Sequence, residues 1–141
     1  MADITFKEEV LRQAVASGRI QLRPSTIARI RKGRIAKGDP IAAAEVAAVL
    51  AAKNTPQTLP FCHPIPITNV QTEAKIGKSS ITVQSTVKTA ARTGVEMEAL
   101  SAVSTYLLTV WDMVKQYEKD PRGQYPDTRI ADLRVLTKSK G

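Results

Sequence analysis

The sequence predicts an α+β fold. Three stretches alternate in character along 67–76, 79–90 and 128–137, as half-buried strands do. One long helical pattern covers 95–119, and two shorter ones cover 24–32 and 40–53. Between helices and strands lies a proline-dense segment, 55–66, with Pro56, Pro60, Pro64 and Pro66.

Residues 5–17 read as a helix, with Phe6, Val10, Leu11 and Val15 near one face and Gly18 stopping it. Residues 19–23 alternate as a short strand. Pro24 suits a first helical turn, where its missing N–H costs nothing, and Gly33 ends that helix after Ile27 and Ile30. Asp39 followed by Pro40 caps and opens the next helix, whose alanines permit close packing. The prolines of 55–66 are expected to exclude regular structure and fix the chain's path. In 79–90, Ile81, Val83, Ser85 and Val87 share a face, and Gly77 sits in the turn of a hairpin with 67–76. After the first helix the order is β-α-α-β-β-α-β. With the paired helices counted as one crossover, this is a ferredoxin-like split βαβ sandwich with an extra N-terminal helix. No repeat or linker interrupts it, so residues 1–141 are expected to form one domain. That topology serves many functions and decides none.

Composition narrows the choice. Hydrophobic residues are 43% and aromatics 4%, which is globular and poor in base-stacking surface. The single Cys62 excludes an intramolecular disulfide, and the single His63 excludes two-histidine metal motifs, so no metal site is expected. The N-terminal stretch mixes acids and bases without a continuous apolar core. No secretory signal is expected, the longest apolar stretch (41–52) is too short to span a bilayer, and a cytoplasmic protein follows. The net charge is +8 and uneven: nine basic and four acidic residues in 1–40, five of each in 41–113, seven and four in 114–141. Net charge aids solubility, and it also fits a polyanionic ligand, either nucleic acid or a nucleotide phosphate.

Within the long helix, Glu98, Ser101, Thr105, Asp112 and Lys115 fall on one stripe. The remaining arc is apolar enough that much of the helix should be covered, so a polar stripe must find partners. Asp112 and Lys115, at i,i+3, can touch. On an arbitrary helix such a pair is an ordinary surface contact. Arg29, Arg31, Lys32, Arg34 and Lys37 put five cations in nine residues, usually a solvated face. Lys37-Gly38-Asp39 is narrower: a lysine in a glycine turn before a helix N-cap suits phosphate, though the spacing is not that of a Walker A loop. Phe61-Cys62-His63-Pro64 displays the only thiol and imidazole on a rigid segment. A buried thiol with a satisfied imidazole and a ligand-facing histidine both remain open there.

Together the strings KGDPIAAAEVAAVLAAKNT, FCHPIPIT, RTGVEMEALSAVSTYLLTVWDMVK and LTKS, in this order, resemble the cyclic pyranopterin monophosphate synthases, the MoaC family of molybdenum cofactor biosynthesis. The resemblance runs from about residue 5 to 138. It implies a cytoplasmic lyase that converts (8S)-3′,8-cyclo-7,8-dihydroguanosine 5′-triphosphate, made by a radical-SAM GTP cyclase, to cyclic pyranopterin monophosphate and pyrophosphate. It implies a homohexamer, a trimer of dimers, with sites at subunit interfaces and no nucleic-acid or membrane partner. No required cofactor is expected, and a divalent cation such as Mg is a candidate companion of the substrate triphosphate.

By the same resemblance, Asp112 and Lys115 of the Asp-Met-x-Lys motif are catalytic, with Lys37, His63 and Lys138. Phe61, Cys62, His63, Met97, Glu98 and Lys53 contact substrate, and Arg92 is a further candidate cation. Asp112 beside Lys115 is then the acid–base pair, and Glu98 on the same stripe orients Lys115 or the purine-derived ring. Phe61 stands where leucine is usual, Trp111 where tyrosine is common, and the tail after Lys138 is shorter than the family's glycine-rich one. The competing reading is a basic ferredoxin-like nucleic-acid-binding module. It is weakened by the lack of aromatics on 67–76 and 79–90, where an RNA-recognition sheet stacks bases.

Overall fold

A computed structural model describes all of residues 1–141. Its elements are β1 (Val10–Gln21), α1 (Pro24–Arg31), α2 (Pro40–Lys53), α3 (Thr55–Thr58), β2 (Asn69–Ile76), β3 (Ser80–Ala91), α4 (Glu96–Glu118) and β4 (Arg129–Lys140). The sheet is antiparallel throughout in the order β2-β3-β1-β4. The crossovers place α2 and α4 over one face, the arrangement of a ferredoxin-like α+β sandwich. The expected face of β3 is the buried one: Ile81, Val83, Ser85 and Val87 point to the helices, while Thr82, Gln84 and Lys88 are exposed.

The extra N-terminal helix does not form. Residues 10–21, read as a helix followed by a short strand, are one central strand paired on both sides, Val10↔Ala91 to Gln21↔Ser80 on β3 and Arg12↔Lys140 to Gln21↔Arg129 on β4. The spacing of Phe6, Val10, Leu11 and Val15 imitated a helical face, yet Phe6 and Leu11 are exposed. The buried face is Arg12, Ala14, Ala16, Gly18 and Ile20, mostly side chains too small to advertise a period of two. Pairing with two neighbours overrides weak local propensity here. Gly18 does not stop a helix. It lets α4 approach the sheet, since a Cβ there would lie 2.8 Å from Val103 Cγ1 and 3.1 Å from Leu107 Cδ1. Gly18→Ala is therefore expected to destabilise the fold by about 1–3 kcal/mol, as over-packing does, and to lower the melting temperature. A melting curve unchanged from the parent's would show that Val103 and Leu107 yield freely.

Two smaller corrections follow. The proline segment begins with one helical turn, α3, because Pro56 sits in its first turn, where no N–H is needed. β4 runs to Lys140 and carries register shifts against β1. Asp132 adopts φ 60° at the shift and pairs with Arg19 at 3.1 Å.

The remaining elements form as expected. Asp39 caps α2 by accepting from the Ile41 and Ala42 amides at 3.0 and 3.2 Å. Ala44, Ala48 and Ala52 are buried, and α2 packs closely along α4. At the far end of α4, the fully buried Glu118 binds three segments together. It accepts from the Arg23 amide at 3.1 Å, from the Thr26 hydroxyl, and from the Thr128 hydroxyl at 2.7 Å. This staple fixes the start of α1 and the start of β4 against the last turn of α4. No helix is long and apolar enough to cross a membrane.

Candidate active site

The expected site residues, Lys53 apart, gather in two groups, one at each end of α4. At its C-terminal end Lys115 donates to Asp112 Oδ1 at 3.0 Å, one turn back along the helix. Lys37 arrives from the α1–α2 connection and donates to the Asp112 carbonyl at 3.0 Å and to Oδ1 at 3.4 Å. All three side chains reach solvent, Asp112 with 60% of its surface. Exposure decides the balance of effects on the carboxylate. The Lys115 hydrogen bond and charge, with Lys37 behind them, hold Asp112 below the usual aspartate range, and Lys115 is raised in return. The cluster is thus an ionised carboxylate between two ammonium groups, open to a ligand.

At the N-terminal end a cavity of about 510 Å³ is lined by Leu59, Phe61, Cys62, His63, Met97 and Glu98, with Ala2, Pro60, Thr93, Gly94 and Glu96. Glu98 is almost fully buried. Its Oε2 accepts from Cys62 Sγ at 3.5 Å, while its Oε1 is buried without a partner. Burial raises the Glu98 pKa, so this carboxyl holds its proton more readily than an exposed one. His63 Nε2 is 2.8 Å from the Ala2 carbonyl, so the N-terminal segment lies over the imidazole. His63 and Arg92 also line an adjoining cavity of about 190 Å³. Lys138 reaches this end from β4, 3.7 Å from Glu96 Oε2. It shares a small cavity with Arg12, Gly94, Glu96, Ser139 and Lys140.

The setting of Cys62 disfavours its thiolate, the nucleophilic form. Burial, then the Glu98 charge, pushes its thiol up to about 11. Iodoacetamide is therefore expected to modify Cys62 slowly near neutrality, with the rate climbing only toward strongly alkaline pH. Glu98→Gln should shift that climb to lower pH. Rapid alkylation near neutral pH, followed by mass spectrometry, would contradict the assigned environment.

One expected relation is not present. Glu98 and Lys115 are seventeen residues apart on a straight helix, about 25 Å, so Glu98 cannot orient Lys115 within a chain. The stripe drawn from helical angles joins the two groups in direction but not in distance. Lys53 is exposed in the last turn of α2 and lines none of these cavities. Glu96 and Arg12 were not among the expected residues. Glu96 sits in the GVEMEAL string, but Arg12 is visible only once β1 is known to be a strand opposite Lys140. No group of three or more His, Cys, Asp or Glu side chains is placed to hold a metal ion.

No strand carries an aromatic residue, so the sheet lacks the stacking platform that a nucleic-acid-binding module would need. Comparison with known proteins points the other way. The family model described as MoaC family matches residues 1–141. A probable cyclic pyranopterin monophosphate synthase of Aeropyrum pernix is 55% identical over 141 residues, covering 100% of this chain and 97% of that protein. Proteins of the same description from Methanosarcina acetivorans and Sulfolobus acidocaldarius are each 54% identical. They cover 100% and 99% of this chain, and 89% and 98% of their own lengths. With its whole length matched and relatives more than half identical, the chain belongs to the MoaC family and is, like these relatives, an enzyme.

Proposed function

We propose that the chain is a cyclic pyranopterin monophosphate synthase of molybdenum cofactor biosynthesis. It rearranges the cyclised GTP intermediate, received from a radical-SAM GTP cyclase, to the cyclic pterin phosphate and releases pyrophosphate. What supports this beyond the family is the division of the ionisable residues between the two ends of α4. Lys37, Asp112 and Lys115 form a cationic, proton-transferring half. Glu98, Cys62 and His63 form a sheltered half with an unpartnered buried carboxyl oxygen, and the exposed Lys138 stands at its edge beside Glu96.

In this reading the lysines take the phosphates and stabilise charge on the departing pyrophosphate. Asp112 accepts a proton during ring opening, and Lys115, already hydrogen-bonded to it, donates one during reclosure. Glu98 Oε1 meets an N–H of the purine-derived ring, with Phe61 and Met97 against its faces. Lys53 and Arg92 are auxiliary phosphate cations. The reading takes no resident cofactor, and a divalent cation arrives with the triphosphate as part of the substrate.

Asp112 and Glu98 are fourteen residues apart, about 21 Å along α4, too far for one small substrate to touch both in one chain. The reading therefore joins the C-terminal half of one subunit to the N-terminal half of another, in a homohexamer arranged as a trimer of dimers and working in the cytoplasm. Incubation with the cyclised GTP intermediate, with assay of both pterin and pyrophosphate, tests the activity. Light scattering tests the assembly. Absence of both products from folded protein would overturn the proposal.

A further inference from the structure

We infer that the Tyr117 hydroxyl is the positioning group that holds Lys37 in reach of its ligand. The connection between α1 and α2, residues 32–39, makes only local backbone hydrogen bonds, among them Gly33 N–H to the Ile30 carbonyl, Arg34 N–H to that of Arg29 and Gly38 N–H to that of Ile35. Gly33 and Gly38 both have positive φ, 67° and 117°, so the chain turns sharply on either side of the segment. Ile35 is buried and anchors the middle by packing. Beyond that residue, two polar contacts tie the segment to α4. The Ala36 amide donates to Tyr117 Oη at 2.9 Å, and Lys37 Nζ donates to Asp112.

The second tie cannot be the anchor. In the function proposed above, on which this inference rests, Lys37 exchanges some of its Asp112 contacts for phosphate. A group that must change partners needs its backbone fixed by something that does not. Tyr117 is that group: it lies two residues beyond Lys115, and its hydroxyl meets the amide immediately before Lys37. Its ring is fixed in turn by the Arg29 guanidinium, 4.6 Å from the centroid, whose Nη1 donates to the Arg34 carbonyl at 3.5 Å. One tyrosine thus couples the end of α4, the end of α1 and the Lys37 turn.

Tyr117→Phe deletes the oxygen and keeps the ring. It should lower kcat/KM for the cyclised GTP intermediate by about three- to tenfold, the size of one lost neutral hydrogen bond. Hydrogen exchange at the Ala36 amide should accelerate, while the melting temperature stays close to the parent's. The decisive measurement is the cycle of Tyr117→Phe, Lys37→Ala and the double variant. If Tyr117 acts through Lys37, then Tyr117→Phe adds nothing in the Lys37→Ala background. Multiplying losses would mean that Tyr117 acts elsewhere and overturn the inference. So would a silent Tyr117→Phe beside an impaired Lys37→Ala. A silent Lys37→Ala would instead overturn the role given to Lys37, a failure separable from the other two.

Discussion

Asp112→Asn is expected to lower turnover by about 10²–10⁴-fold, the range for a lost general acid–base group, while thermal stability and substrate binding change little. The stability part follows from exposure. Asp112 keeps 60% of its surface in solvent, and its contacts to Lys115 and Lys37 are surface pairs screened by water. The amide is nearly isosteric, can still accept from Lys115 through its oxygen, and leaves the Asp112 carbonyl available to Lys37. The turnover part follows from protonation. The carboxylate is ionised at neutral pH and can accept a proton, which the amide cannot; the two lysines that hold it below the usual aspartate range make it a weaker base but do not remove that capacity. The acid limb of the kcat/KM profile should accordingly lie below the ordinary carboxylate range. Lys115→Ala should itself lower turnover, and in the activity that remains the limb should move upward, because the largest cause of the depression is gone. Single-turnover rates with measured binding of the cyclised GTP intermediate separate the cases. Near-parental turnover in the Asn variant removes Asp112 from the chemistry. Equal losses in binding and rate would make it a positioning residue instead.

Much of this arrangement was legible in the sequence where local rules and tertiary demands agree. Asp39-Pro40 opened α2 as read, because an N-cap is decided within three residues. The hairpin around Gly77 and the long helix were equally plain, since Val, Ile and Thr alternate strongly in one and large apolar side chains recur in the other. β1 was not legible, because its core-facing residues include Ala14, Ala16 and Gly18, too small to mark a face, and the bare Gly18 answers to Val103 and Leu107, more than eighty residues away. The same reason hid Arg12 from the site. The Lys37–Asp112 contact was hidden too: the two are 75 residues apart, and nothing in either segment's pattern announces the meeting. The MoaC-like strings pointed to both residues without saying that they touch. The sign of the Asp112 pKa shift also needed the structure, because it depends on solvent exposure that an apolar-flanked helix does not reveal.

That contact also decides how a shared site must be tested. Lys37→Ala and Asp112→Ala would be a natural pair of inactive chains to mix, on the expectation that their side chains come from different subunits. In this structure the two side chains meet within one chain, so this pair should not complement and serves as the negative control. The informative pair takes one residue from each end of α4: His63→Ala from the sheltered half and Asp112→Asn from the cationic half. Each variant alone should be nearly inactive. In random mixed oligomers, about a quarter of the composite sites should receive an intact half from each of two subunits, because each half is intact with even odds. Activity should therefore rise from near zero to roughly a quarter of the parent's when both chains are co-expressed and doubly tagged oligomers are purified. The recovery cannot come from within a chain, since every chain then carries one defective half. Doubly tagged oligomers with no recovered activity would show that the two halves do not meet across a subunit interface, and the reading that joins them there would fall.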